Sequence, residues 1–186
     1  MDREELVRVL AGYAPEDASD AASLERLRRF VGGPADPFAR ENPEGHVTGS
    51  AVVARPDGSE FLLVLHRKLS RWLQPGGHTE ESDATVFDAA RREAREETGI
   101  ADFAAPLGHA VFDVDVHPIP ARGRDPAHLH FDVRYLLTTR SDADPEASDD
   151  PTRPMRWASF EEAVSLGIDA SLARALAKAR KALGRK

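Results

Sequence analysis

Cysteine is absent from this chain of 186 residues, which excludes disulfide bonds and thiol chemistry. Long apolar runs are absent as well, since no stretch approaches the roughly 20 residues that cross a membrane as a helix. The N-terminus is acidic and lacks the basic-then-apolar pattern of a signal peptide. We therefore expect a cytoplasmic protein with no membrane partner.

Basic charge is also scarce. The chain carries 25 lysines and arginines against 32 aspartates and glutamates, a net charge of −7. Broad binding to nucleic acid or to an anionic membrane needs a basic face, so this balance argues against both. It leaves room for a small phosphate ligand held through metal ions. The length suits one domain, or one domain with an extension.

Acidic residues concentrate near the end of the stretch 76–100, where Arg92 and Glu93 are followed by Glu96 and Glu97. On a helix the two later glutamates lie three and four residues after the first, so the three carboxylates share one face. Clustered carboxylates repel each other and favour a cation as their counterpart. Hard oxygen ligands suit Mg²⁺ or Mn²⁺. The alternative is a solvated acidic helix surface.

The ends of this helix are predicted from its flanking residues. A proline and two glycines at 75–77 allow a sharp turn, and a carbonyl freed there is a candidate further metal ligand. Asp83 is expected to be the N-cap of a helix that begins at Ala84. Gly99 is expected to end the helix in a left-handed conformation.

These residues resemble the box of the Nudix hydrolase family, which reads Gly-x5-Glu-x7-Arg-Glu-U-x-Glu-Glu-x-Gly-U with U apolar. Gly77 opens the box here, and residues 92–100 close it. Two departures are visible. Asp83 stands where the first glutamate belongs, and eight residues rather than seven separate it from Arg92.

The resemblance implies an α/β (α+β) fold in which a mixed sheet lies between helices. It divides the chain into a helical N-terminal extension, 1–45, and a Nudix domain, 46–186. The implied activity is hydrolysis of a diphosphate linkage in a nucleoside diphosphate linked to another moiety, a small-molecule nucleotide substrate. The resemblance also makes a homodimer a plausible assembly.

The resemblance also implies roles for single residues. Mg²⁺ or Mn²⁺ would be held by the Gly76 carbonyl and by Glu93, Glu96 and Glu97. Glu96 is the candidate that instead orients or deprotonates the attacking water. Arg92 would hold a box carboxylate through a charge-assisted bond, or form a plain helix salt bridge with Glu96, and both can be true.

Weaker candidates lie outside the box. His128 and His130 alternate on a predicted strand and face one way, with His117 on the preceding strand; they could bind phosphate or a further metal, or be structural. A basic turn could contact substrate phosphates or simply be solvated; it contains Arg67, Lys68 and Arg71. An acidic loop could supply a general base or face water; it contains Glu146, Asp149 and Asp150. His78 adjoins the glycine turn, but its spacing demands no role.

Periodicity and turn residues predict the remaining elements. Helices are expected over residues 2–12, 18–31, 160–166 and 171–183. Strands are expected over residues 46–54, 60–67, 72–74, 103–108, 110–118, 128–139 and 155–159. The two N-terminal helices are expected to pack on the core, with a dimer contact or a substrate lid as alternatives.

Two other functions compete with a pyrophosphatase. A non-catalytic Nudix-like module could bind a nucleotide as a sensor; the displaced Asp83 favours it, and the intact set of three glutamates argues against it. Isoprenoid diphosphate isomerase shares the fold but uses a catalytic cysteine, which this chain lacks. The sequence leaves the substrate open among nucleotide sugars, ADP-ribose, dinucleotides, oxidised nucleoside triphosphates and capped ends.

Overall fold

The structure is a computed structural model that describes residues 1–67, 70–123, 126–140, 145 and 153–184. Its helices are α1 (Arg3–Ala11), α2 (Ala18–Val31), α3 (Val86–Thr98), α4 (Phe160–Ser165) and α5 (Ala170–Ala182). Its strands are β1 (Gly45–Ala54), β2 (Phe61–His66), β3 (Arg71–Leu73), β4 (Gly76–His78), β5 (Phe103–Ala104), β6 (Asp113–Ile119), β7 (His128–Thr139) and β8 (Met155–Ala158).

The strands form one mixed sheet organised around β1 and β7. These two strands run parallel and pair along the whole of β1, from Gly45 opposite Leu129 to Ala54 opposite Thr138. The other pairings are antiparallel: β2 and β4 join β1, β5 and β6 join β7, and β3 and β8 join β2. The parallel pair requires a long crossover, and the chain between β1 and β7 contains α3.

Helices cover both faces of the sheet, because successive side chains of a strand point to opposite sides. One buried cluster joins Val47 and Val133 to apolar residues of α1, α2 and α3. A second cluster joins Val52 and Leu136 to apolar residues of α4 and α5. The predicted α/β (α+β) architecture, a mixed sheet between helices, is confirmed.

The N-terminal helices pack on the core. Phe30 of α2 stacks on Phe131 of β7 with ring centroids 3.9 Å apart. Leu6 and Leu10 of α1 and Leu27 of α2 are buried in the same cluster as the sheet. Packing, the role that the sequence favoured, is therefore observed. The division of the chain at residue 45 and the dimer and lid alternatives stay predictions.

Several elements differ from the sequence expectation: the glycine turn contains the short strand β4, and β6 begins at Asp113 rather than at residue 110. The box helix begins at Val86 rather than Ala84, and its N-cap is Thr85, whose side chain accepts from the Asp88 amide at 3.1 Å. Asp83 is not the cap, because its carboxylate is already bonded to an arginine. The strand expected over 103–108 ends at Ala104, since Pro106 has no amide hydrogen to continue the ladder.

Candidate active site

The box helix α3 lies very close to the centre of the sheet. Its buried face includes Ala90 and Ala94, whose small side chains allow a short distance to β1. Gly49 of β1 contributes to the same approach. A Cβ atom at Gly49 would lie 2.8 Å from the Val86 carbonyl oxygen and 3.0 Å from the Ala90 amide nitrogen. Because Gly49 has no side chain and Ala90 and Ala94 have small ones, α3 packs directly against β1. This close packing holds the helix that carries the carboxylates in position.

Gly49→Ala is expected to lower the free energy of unfolding by about 1–3 kcal/mol, because the added methyl would push α3 off β1. Urea denaturation measures the loss. Gly12→Ala is the matched control, since its Cβ would lie 3.6 Å from the nearest atom and its φ is −80°. Similar losses in the two variants would contradict the close packing of α3.

The glycine turn at β4 brings two of the box carboxylates onto the backbone. A Cβ atom at Gly77 would lie 2.6 Å from the carboxyl carbon of Glu93, so only glycine leaves room for that side chain. The Gly76 amide donates to Glu97 Oε2 at 3.0 Å. Glu93 and Glu97 therefore converge on β4 from α3, and both side chains are 17% exposed.

Arg92 binds the first acid of the box despite the substitution and the extra residue. Its Nε and Nη2 donate to the two Asp83 oxygens at 3.1 and 2.9 Å, a bidentate pair. Nη1 donates to Glu93 Oε1 at 3.0 Å and to Glu96 Oε2 at 3.1 Å. Nη2 also donates to the His78 carbonyl at 2.8 Å. The two contacts that the sequence left open, a box carboxylate and Glu96, are both present.

The electrostatic state of the site follows from these contacts. The bond to Asp83 raises the pKa of Arg92, so the guanidinium stays charged. Burial raises the pKa of Glu93, and Arg92 offsets part of that rise. Glu96 differs from the other two carboxylates because its side chain is 49% exposed. The site thus combines two half-buried carboxylates with one that faces solvent.

Arg153, just before β8, forms an ion pair with Glu97. Arg153 could not be found from local sequence patterns, because 56 positions separate it from Glu97 and only the fold brings the two together. Its side chain is 23% exposed, so the pair is partly shielded from water. Because the Arg153 guanidinium already contacts this proposed metal ligand, a metal ion would have to share Glu97 with Arg153 or displace Arg153.

The fold and the site agree with a match to a protein-family model, NUDIX domain, over residues 45–179. The chain belongs to the NUDIX domain family. The resemblance drawn from the box is therefore confirmed, as is the prediction of a Nudix hydrolase.

Among the described residues, no helix is both long enough and apolar enough to span a membrane.

Solved structures with the Nudix fold resemble the chain at low identity. A C. elegans Ap4A hydrolase in a binary complex is 20% identical, with a TM-score of 0.53 over 71% of this chain and 93% of the other. The E. coli dihydroneopterin triphosphate pyrophosphohydrolase is 18% identical, with a TM-score of 0.55 over 70% and 91%. The NUDIX domain of Shewanella oneidensis NrtR, complexed with ADP ribose, is 18% identical, with a TM-score of 0.52 over 81% and 94%. Comparison with curated proteins finds no match.

The remaining predicted residues of this Nudix domain lie in three places. His128 and His130 are half-buried on β7, and the rings of His78 and His130 are 5.2 Å apart, which connects the histidines to the strand that carries Gly76. Arg71 is exposed at the start of β3, on an outer strand of the sheet. Lys68 and the three loop acids lie outside the described residues; those acids are Glu146, Asp149 and Asp150.

A buried polar network next to the histidines was also missed. Thr48 and Ser50 of β1 donate to Asp132 Oδ1 at 2.9 and 2.7 Å. Arg134 donates to Asp132 at 3.1 Å and to Asp113 at 3.1 Å. The only signal in the sequence was the alternation of polar residues in β6, of which Asp113 is fully buried against Arg174 and Lys178 of α5.

Proposed function

We propose that this Nudix domain is a divalent-metal-dependent pyrophosphatase that hydrolyses a diphosphate linkage in a nucleoside diphosphate linked to another moiety. The observation that carries the proposal is the convergence of Glu93 and Glu97 on the glycine turn of β4. Arg92 and Arg153 already pair with these two carboxylates, and a divalent cation would add the counter-charge that clustered hard oxygen ligands favour. A cytoplasmic location and a homodimer stay predictions.

The donor set fits a hard divalent ion. Glu93, Glu97 and the Gly76 carbonyl would hold Mg²⁺ or Mn²⁺, with Glu96 as a further ligand. When bound, such an ion neutralises the charge of the diphosphate and makes a water molecule more acidic. The raised pKa of Glu93 supports this assignment, because burial has made its charge costly in the metal-free protein.

The protein residues would divide the remaining tasks. Arg92 orients Glu93 and Glu96 through one guanidinium nitrogen and is itself held by Asp83. Glu96 is the best placed of the three carboxylates to accept a proton from the attacking water, since it faces solvent. We propose that Arg71, His128 and His130 contact the substrate. Arg71 is exposed, the ring of His130 lies 5.2 Å from that of His78 on β4, and the ring of His128 lies 5.4 Å from that of His130.

The substrate class can be narrowed with compounds suggested by structures of the same fold. A panel would contain Ap4A, ADP ribose, dihydroneopterin triphosphate, nucleotide sugars and nucleoside triphosphates. Products would be separated by chromatography after incubation with Mg²⁺, with Mn²⁺ or with a chelator. We expect at least one compound to be split at a diphosphate linkage, only when metal is present.

Glu93→Gln is the control against contaminating phosphatases. The substitution would abolish the activity of this protein and leave the activity of any contaminating host enzyme unchanged. Turnover that persists in the variant or in chelator would contradict the proposal. Tight metal-dependent binding without turnover would favour a nucleotide-binding sensor instead. The structure weakens that alternative, because Asp83 still reaches Arg92 and the displaced acid was its main support.

A further inference from the structure

Five of the seven histidines of the chain gather on one face of the sheet. This histidine cluster consists of His46, His78, His117, His128 and His130. The strand register produces it: His46 of β1 and His117 of β6 both stand opposite His130 of β7. The ring centroid of His46 lies 4.9 Å from that of His78, 5.0 Å from that of His128 and 4.8 Å from that of His130.

His46 is the residue that packing alone does not explain. It is 3% exposed, and neither of its ring nitrogens has a hydrogen-bond partner within the described part of the chain. A buried polar group without a partner destabilises a fold, so such groups are usually paired or bound to a ligand. Its nearest polar neighbours are other imidazoles, which are suited to share a cation.

We propose that His46, His78 and His130 form a site for a transition metal of the zinc class, separate from the carboxylates of the box. One ring nitrogen from each residue can be chosen so that all three lie within 4.8 Å of one another. Imidazole is a ligand for zinc, copper and nickel rather than for magnesium. Three histidines leave a fourth tetrahedral position open to water or to an anion.

The geometry of the three residues suits this role, and the burial of His46 favours the neutral imidazole that binds a metal ion. Zinc–nitrogen distances of about 2.0–2.1 Å place tetrahedral ligand nitrogens roughly 3.3 Å apart, so the rings would close around the ion by about 1.5 Å. We expect rotation about the side-chain torsions of the half-buried His78 and His130 to supply most of that movement.

The surroundings contain both favourable and opposing groups. His117 Nδ1 lies 2.9 Å from Asp115 Oδ2, and the positive charge of Arg134 stands close to that carboxylate. His128 Nδ1 lies 2.9 Å from the Pro126 carbonyl, which makes Nδ1 the donor and leaves the lone pair on Nε2. Arg40 opposes a cation, because its positive charge acts on His46 from an exposed position.

The test is a Zn²⁺ titration of the untagged full chain in competition with a chromogenic chelator. Excess Mg²⁺ would keep the box carboxylates occupied. We expect one Zn²⁺ per chain, and at least a hundredfold weaker binding in His46→Gln and in His130→Gln, since even loss of an outer partner of a metal weakens binding about 10–100-fold. His109→Gln is the matched control, because His109 stacks on Phe87 outside the cluster.

Several outcomes would overturn the site. They are the absence of tight Zn²⁺ binding, unchanged binding in both histidine variants, or loss of binding in Glu97→Gln, which would assign the ion to the box. If a histidine variant fails to fold, imidazole ¹H–¹⁵N spectra of the native protein decide. Zn²⁺ must shift the signals of the three ligands and leave that of His109 unchanged, and any other pattern rejects the proposal. None of these measurements depends on hydrolysis, so they test the histidine site independently of the proposed pyrophosphatase activity.

Discussion

Replacement of Glu97 by glutamine is expected to lower kcat/KM of the pyrophosphatase reaction by at least about a hundredfold. Loss of an outer partner of a metal already weakens binding or activity about 10–100-fold, and a charged direct ligand should contribute more. The local fold should survive the change. Glutamine keeps a side-chain oxygen that can accept from the Gly76 amide, as Glu97 does at 3.0 Å, and Arg153, which loses its ion pair, is partly exposed to water. The effect would therefore report on the lost charge.

Steady-state kinetics at several Mg²⁺ concentrations would separate a weaker metal site from a slower chemical step. Glu25→Gln is the matched control, because Glu25 also pairs with an arginine but lies on the surface, with its side chain 74% exposed. The melting temperature of Glu97→Gln should stay near that of the native protein. Native activity in Glu97→Gln at every Mg²⁺ concentration would remove Glu97 from the proposed ligands.

The carboxylate arrangement could be predicted because it depends on one helix. Helical spacing alone put Glu93, Glu96 and Glu97 on one face, and α3 positions them so. Spacing could not show which of the three turns to solvent. Because Gly77 has no side chain, there is room for Glu93 over β4, so Glu93 is shielded while Glu96 faces solvent.

The one-residue insertion shows why a motif departure is hard to evaluate from sequence. From the sequence alone, the extra residue puts the pairing of the first acid with Arg92 in question. Instead the turn before α3 absorbs the extra residue: the Asp83 amide donates to the Glu80 carbonyl at 3.0 Å, and the Glu80 amide donates to Asp83 Oδ2 at 2.8 Å. The helix begins later, at Val86, and Asp83 remains within reach of Arg92.

Contacts between distant segments were the part that the sequence could not supply. The extents of α2 and β7 match their predicted ranges, because each has a clear local pattern. His46 and His78 carried no signal of their own, since their neighbours are set by the register of β1, β4 and β7. Arg153 and the charges around Asp113 were missed for the same reason. Local patterns predict elements, and strand register decides which polar residues meet.

Asp113→Asn is expected to lower the free energy of unfolding by about 3–5 kcal/mol, the usual effect of removing one partner from a buried charge network. Asp113 is 0% exposed, and its carboxylate accepts from Arg134 at 3.1 Å, from Arg174 at 3.0 and 3.1 Å, and from Lys178 at 3.2 Å. Asparagine keeps the shape but leaves these cations with less opposite charge. The amide group of asparagine would also place hydrogen-bond donors next to them.

Urea denaturation at neutral pH would measure the loss, which is large against the 5–15 kcal/mol stability of a typical domain. Glu25→Gln again serves as the surface comparison, where an exposed helix pair contributes only about 0.3–0.5 kcal/mol. A loss below about 1 kcal/mol in Asp113→Asn would mean that water reaches the network. Adding Arg174→Met to Asp113→Asn should restore part of the stability, because Arg174 is paired with Asp113 at 3.0 Å and the double variant removes a largely buried cation left without that carboxylate. Arg134 would still be paired with Asp132 and Lys178 with Asp20, so the recovery should come from Arg174 alone.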